Sequence, residues 1–312
     1  MNGKYCDSLP ESNSKVNKYS RGRACVVAGS SRFPGAAILA AKSAARSGAG
    51  FVSAYVPSSI KPLCQATLPS LVVTPLPSTI DGFFAKGATD VVNLKKQNCV
   101  LYGPGTCAGK NQERLLKKVL SADATVVIDA DMIEQLRHIE KSFGVEAIYS
   151  REKPLVLTPH HAELKKWLGD TSSDDYDFME DDEIVTRIQE RLNSINSQNT
   201  VVVAKGERTL VVTHEKVLEP ECGTETLATP GTGDVLAGCI CGIVSQKKPK
   251  SLKKVAKICA AAVEVHAFAG AIAGVQFGRR GALATDICDS IGLALDELNA
   301  QRENGIANSK SA

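Results

Sequence analysis

The sequence of 312 residues lacks a strong charge of either sign, cysteines at metal-binding spacing, and a long uninterrupted apolar run. Lys plus Arg is 37 against 34 for Asp plus Glu, and the resulting +3 is too small to make nucleic acid the main partner. One locally basic run, Lys247-Lys-Pro-Lys-Ser-Leu-Lys-Lys254, reads as a solvated helix start. The ten cysteines are scattered, with Cys25, Cys239, Cys241 and Cys259 inside apolar runs and no Cys-x-x-Cys anywhere. That usage argues against structural zinc and fits reduced, buried thiols in a cytoplasmic protein. Residues 1–23 are polar and lack the apolar centre of a signal peptide. The weakly polar stretch Val265 to Gly278 contains His266 and Gln276 and falls short of the roughly 20 residues that span a bilayer. No membrane partner is expected.

What remains is an ordinary folded composition, 43% hydrophobic and 23% charged. Short runs rich in Val, Ile and Leu alternate with longer helical patterns, the signature of β-α-β units around a parallel sheet. Strands are predicted at 24–28, 51–56, 100–102, 124–128, 155–157, 200–204 and 210–213. Helices are predicted at 36–46, 111–121, 161–168, 183–196, 235–245, 253–273 and 285–299. No Pro-, Gly- or Ser-rich linker and no repeat divides the chain. The expectation is one α/β domain over 24–300, a three-layer α/β/α sandwich with a mostly parallel central sheet, between flexible tails at 1–23 and 301–312. The acidic stretch Asp174 to Glu183 reads as a solvated loop leading into a helix.

Two phosphate-binding signatures are also missing. In Gly103-Pro-Gly-Thr-Cys-Ala-Gly-Lys-Asn111, five residues separate Gly103 from Gly109, and Asn111 replaces the hydroxyl that would hold magnesium, so this is no P-loop. Gly48-Ala-Gly50 follows a helix and precedes a strand, the reverse of a dinucleotide fingerprint. It reads as a helix stop instead.

The segment Leu227-Ala-Thr-Pro-Gly-Thr-Gly-Asp-Val-Leu-Ala-Gly238 is the most suggestive one present. Gly231 and Gly233 let backbone approach a ligand, and the first N–H groups of the following helix point at any anion placed there. Asp234 would stand beside that anion, able to take a hydroxyl proton. A plain turn with Asp234 as a cap fits the segment too. Other polar segments follow predicted strands: Gly29 to Ala36, Gly103-Pro-Gly105, Asp129-Ala-Asp131, Thr158-Pro-His-His-Ala-Glu163 and Lys205-Gly-Glu-Arg-Thr209. Taken singly, each also serves as a turn or cap. Together they lie at the strand carboxyl ends, where parallel sheets bind ligands.

This ordered set resembles the ribokinase-like superfamily, specifically the ADP-dependent dehydratases that repair hydrated NADH and NADPH. The resemblance runs from about Ala24 to Leu298 and includes Ser47 to Val52, Val265 to Gly270 and Ala284-Thr-Asp286. It implies that Asp234 is the catalytic base, directing the substrate's C6 hydroxyl onto the β-phosphate of ADP; AMP leaves, phosphate is eliminated, and NADH or NADPH is restored. It implies that Gly231, Thr232 and Gly233 stabilise the phosphoryl oxygens. Lys205, Gly206, Glu207, Arg208, Thr209 and Gly233 would hold the nucleotide, and Ala36, Gly105, His160 and Asp234 the hydrated dinucleotide. Mg²⁺ would bridge phosphates mostly through water, with no protein ligand assigned. A homo-oligomer, in the form of a tetramer, is implied as well.

Three residues depart from the family pattern: Cys107 and Pro230 where glycine or a small residue is usual, and Glu134 where asparagine is usual. No counterpart of the epimerase domain fused in some relatives is expected. Two alternatives use the same residues: an ATP-dependent kinase of a thiazole or pyrimidine alcohol, and a nucleotide-binding protein that has lost catalysis.

Overall fold

The computed structural model describes residues 3–11, 17–172, 176 and 179–310, with side chains only as far as 304. Residues Asp174, Asp175, Asp177 and Phe178 of the acidic stretch lie outside the described residues. The strand β1 (Arg23–Val27) shows how the sequence builds the layers. Ala24 and Val26 face one hydrophobic core and Cys25 and Val27 the other, all of them fully buried. A strand apolar on both faces needs helices on both sides.

Among the described residues the sheet continues with β2 (Phe51–Pro57), β3 (Val72–Leu76), β4 (Cys99–Tyr102), β5 (Thr125–Ile128), β6 (Leu155–Leu157), β7 (Thr200–Ala204), β8 (Leu210–Val212) and β9 (Val217–Leu218). Their spatial order is β3-β2-β1-β4-β5-β6-β7-β8-β9. All pairings from β3 to β7 are parallel, and β8 and β9 add an antiparallel edge. The expected three-layer α/β/α sandwich is what the chain adopts. One core is covered by α1 (Pro34–Arg46), α2 (Lys61–Thr67), α9 (Thr232–Lys247), α10 (Leu252–Phe277) and α11 (Ala284–Lys310). The other lies under α3 (Ala88–Val91), α4 (Lys110–Leu120), α5 (Asp131–Phe143), α6 (Glu146–Tyr149), α7 (His161–Leu168) and α8 (Asp181–Ser194).

Several elements were not expected: β3, which carries Pro75 at the sheet edge, the short α2, α3 and α6, the two-residue β9, and α5. Helix α10 has 26 residues and is longer than the stretch judged too short to span a bilayer. By length and apolarity it could cross a membrane, but it lies mostly buried, packed between α9 and α11. Residues 3–11 of the segment expected as a flexible start are docked: Leu9 is fully buried, and the Lys4 and Tyr5 N–H groups donate to the Glu264 carboxylate at 3.0 and 2.9 Å. Nor does the last helix stop near Asn299, since α11 runs to Lys310 and Arg302 reaches the Leu9 carbonyl.

Small residues set the position of α9. Ala37, Ala40, Ala41 and Ala44 of α1 are buried against it. A Cβ on Gly238 would lie 2.2 Å from the Ala40 carbonyl oxygen, and one on Gly242 would lie 2.5 Å from that of Ala44. The two helices therefore touch backbone to backbone, and Ser43 Oγ ties them by donating to the Val235 carbonyl at 2.6 Å. Gly238→Ala must push α9 away from α1, and overpacking of this kind costs about 1–3 kcal/mol. In urea titrations the midpoint should fall with the m-value unchanged; an unchanged midpoint would show that the helices have room to spare.

Candidate active site

The strand order reverses direction between β1 and β4, the place beyond the strand carboxyl ends where parallel sheets bind ligands. Two loops close on each other there. Gly29 N–H donates to the Pro104 carbonyl at 2.7 Å, and Ser30 Oγ donates to that of Gly105 at 2.7 Å. Gly105, at φ 64°, packs so tightly that a Cβ would lie 2.8 Å from the Ala36 Cβ at the start of α1. The predicted pair Ala36 and Gly105 thus meets directly.

The first turn of α9 packs beside the start of α1: a Cβ on Gly231 would lie 2.7 Å from Leu39 of α1 and 3.2 Å from Ala284 of α11. Gly231 has φ 94° and ψ −9°, and the Thr232 N–H closes onto the Thr229 carbonyl at 3.3 Å. This is a type II turn, which demands glycine at its third position and favours proline at its second. Thr232 also turns its hydroxyl inward, onto the Leu227 and Thr229 carbonyls. With the Thr232 and Val235 N–H groups engaged, the Gly233 and Asp234 N–H groups of the helix start have no partner among the described residues. The free donors thus fall one residue later than the expected Gly231, Thr232 and Gly233 set.

Beside it lies a buried charge cluster. Asp129, at the end of β5, is 2% exposed and accepts hydrogen bonds from Thr158 Oγ1 at 2.7 Å and Lys205 Nζ at 2.9 Å. Glu163 Oε2 stands 3.9 Å from the same ammonium. Glu163 also accepts from the His160 N–H at 2.9 Å, and His160 Nδ1 accepts from the Ala162 N–H at 3.2 Å. This reciprocal cap starts α7 and fixes the His160 ring, whose Nε2 lies 3.2 Å from Glu163 Oε1. Burial acts to lower the Lys205 ammonium, but Asp129, Glu163 and Asp234 outweigh it and hold it above its usual range. Burial likewise acts to raise Glu163, and its bonds to His160 and the charge of Lys205 bring it below the carboxylate range. Asp234 goes the other way. Burial first, then the charges of Asp129 and Glu163 against the opposing pull of Lys205, push it up to about 7. A partly exposed carboxylate near neutrality beside a helix start can take a proton from a group bound there.

Residues 24–292 match the sequence pattern of the NAD(P)H-hydrate dehydratase family. The chain belongs to that family. It is 29% identical to the bifunctional NAD(P)H-hydrate repair enzyme of Moorella thermoacetica over 97% of this chain and 55% of that protein. With the Salinibacter ruber enzyme of the same name it shares 30% identity over 90% of this chain and 49% of that protein. The chain thus spans about half the length of these relatives. Among solved structures, the fold matches a ribokinase-like superfamily protein of Enterococcus faecalis with TM-score 0.74, 21% identity and 94% of both chains covered. It matches the ADP/ATP-dependent NAD(P)H-hydrate dehydratase of Bacillus subtilis, co-crystallised with ATP and Mg²⁺, with TM-score 0.73, 24% identity and 94% and 96% covered.

The three departures from the pattern of the NAD(P)H-hydrate dehydratase family each have a structural place. Pro230 occupies the turn position that favours it. Cys107 has φ 58°, the left-handed region that glycine adopts freely, so here a side chain carries the strain. Glu134 lies on α5 and pairs with Lys166 of α7 at 2.9 Å.

The residues expected to hold the nucleotide fall in three places. Lys205 lies in the charge cluster, and its Nζ is 3.3 Å from where a Gly233 Cβ would stand. Gly206, Glu207 and Thr209 line a cleft of about 570 Å³ with Cys222, Leu227 and His266. Arg208 turns outward, 64% exposed, and pairs with Asp181 and Glu219. His266 and Cys222 were not singled out from the sequence. His266 is buried and pushed down to about 4, chiefly by burial, and its Nε2 has no hydrogen-bond partner among the described residues. Cys222 Sγ accepts the Thr209 N–H at 3.1 Å.

Asp234 also carries a stability signature. Its folded value lies above the unfolded value near 3.9, so folded protein binds the extra proton and stability falls as pH rises between about 4 and 7. Asp234→Asn removes that loss. Its Tm should exceed the parent's by a few degrees at pH 8 and equal it at pH 4; equal Tm at both would show that Asp234 titrates normally.

Proposed function

We propose that this chain catalyses the ADP-dependent dehydration of hydrated NADH and NADPH, returning the reduced dinucleotide with AMP and phosphate as the other products. Family membership supports the reaction, and the observation that carries the mechanism is Asp234 at the start of α9 with a proton affinity near neutrality. The nucleotide's base and ribose occupy the cleft bordered by Gly206, Glu207, Thr209 and His266. Its phosphates run past the Lys205 ammonium to the Gly233 and Asp234 N–H groups. The hydrated ring rests on the joined Gly29 and Gly103 loops, beside Ala36 and Gly105, with His160 near it.

The hydroxyl at C6 is a poor leaving group. Asp234 takes its proton as the oxygen bonds to the β-phosphorus, and the bond from that phosphorus to AMP breaks. The helix N–H groups and Lys205 meet the charge that develops on the phosphoryl oxygens. The ring nitrogen's electron pair then expels phosphate from C6, and loss of the C5 proton restores the double bond. Mg²⁺, a cation that keeps several waters, is proposed to accompany the nucleotide phosphates, as ATP and Mg²⁺ were found together with the B. subtilis relative. Carboxylates already committed to Lys205 make poor direct ligands, which suits a hydrated ion.

Incubation with hydrated NADH and either ADP or ATP should restore the near-ultraviolet absorbance of reduced nicotinamide. Recovery with neither nucleotide would refute the proposal, and accumulation of a stable phosphorylated alcohol would favour a kinase. Asp234→Asn should still bind ADP but lose about 10²–10⁴ in turnover, the usual contribution of a general base. Full activity in that variant would exclude Asp234 as the base.

A further inference from the structure

Asp129 has no part in the chemistry just described, yet the fold goes to some length to hold it. A carboxylate so deeply buried loses several kcal/mol of hydration unless donors replace the water. Thr158 and Lys205 supply them at 2.7 and 2.9 Å. The backbone carrying Asp129 is confined as well. A Cβ on Gly103 would lie 1.9 Å from the Asp129 carbonyl oxygen, which fixes how β4 and β5 end. The next residue, Ala130, has φ 56° and ψ −145°, a conformation that costs a non-glycine residue about 1–3 kcal/mol. Such strain persists only where its surroundings over-determine it.

The Lys205 ammonium held by this carboxylate touches the start of α9, 3.3 Å from the Cβ position of Gly233. The groups that face Asp234 are therefore Asp129 after β5, Glu163 on α7 and Lys205 after β7. From α10, His266 lies against the Thr232 backbone and stays neutral near pH 7.

We propose that Asp129 is a positioning residue for the phosphoryl transfer: braced by Thr158 and the Gly103 turn, it holds the Lys205 ammonium at the start of α9 and sets the charge that Asp234 experiences. The proposal rests on the roles given above to Asp234 and Lys205. Its sign follows from Coulomb's law. Asp129 repels the ionised form of Asp234 directly and also neutralises part of the ammonium charge that would favour that form. Both effects keep the proton on Asp234 to higher pH. A base tuned in this way accepts a hydroxyl proton far better than an ordinary carboxylate does.

The test is the titration of Asp234 in the full chain, labelled with carbon-13 at the aspartate carboxyl and assigned by the resonance lost in Asp234→Asn. Asp129→Asn should lower the midpoint by about one unit or more. Lys205→Met should raise it, because Asp129 then acts unopposed; this second variant decides the matter if the first does not fold. A midpoint that stays or rises in Asp129→Asn, or one that does not rise in Lys205→Met, overturns the proposal. In the pH profile of kcat/KM, the fraction of the plateau kept at pH 6 should climb from about one-tenth in the parent to about one-half in Asp129→Asn, as a shifted acid limb requires. The NMR readout needs no turnover. A parent without dehydratase activity would therefore overturn the functional reading while the Asp129 result stands or falls on its own.

Discussion

The backbone contact between α1 and α9 is the constraint on which the site depends. Two glycines of α9 face carbonyl oxygens of α1 at distances no side chain permits, and a row of buried alanines completes the seam. Because α1 starts at the Gly29 loop and α9 starts at the Thr229–Thr232 turn, this seam puts both helix starts at one end of the sheet. Small residues lose little side-chain entropy on packing, and they allow an approach at which dispersion is strong. A looser seam would leave α9 in place as a helix but move its first turn away from the start of α1.

Given that placement, the electrostatics follow from a shortage of positive charge. Asp129, Glu163 and Asp234 share one ammonium, Lys205. Two of the carboxylates are close to it, and the third, on a helix start that by itself favours an anion, is left with raised proton affinity. The polyphosphate site proposed above gains from this. With Asp234 protonated part of the time at neutral pH, an incoming anion meets less repulsion, and the same carboxyl becomes a base once its proton leaves.

Much of the sheet was legible because its strands are apolar on both faces, as at Thr200–Ala204 and Thr125–Ile128. Strand β3 was not, since Pro75 and exposed Val72 make it an edge strand with a weak pattern. Helix α5 was not among the predicted helices, although Met132, Ile133, Leu136 and Ile139 follow helical spacing. Leu9, a lone apolar residue in a polar stretch, has no periodicity to reveal that it docks. At the site, the motif residues were readable but their pairings were not. Asp129 and Lys205 are 76 positions apart, and nothing local in either segment announces the ion pair. Pro230 looked like a disturbance until the φ of Gly231 showed the turn that calls for it.

The central claim is that the carboxylate at the start of α9 delivers the substrate's own hydroxyl oxygen to phosphorus. Hydrated NADH carrying oxygen-18 in its C6 hydroxyl, turned over with ADP, tests this directly by mass spectrometry of the products. The label should appear in inorganic phosphate and be absent from water and AMP. Label released into water, with unlabelled phosphate, would mean that hydroxide leaves without phosphorylation and would contradict the account.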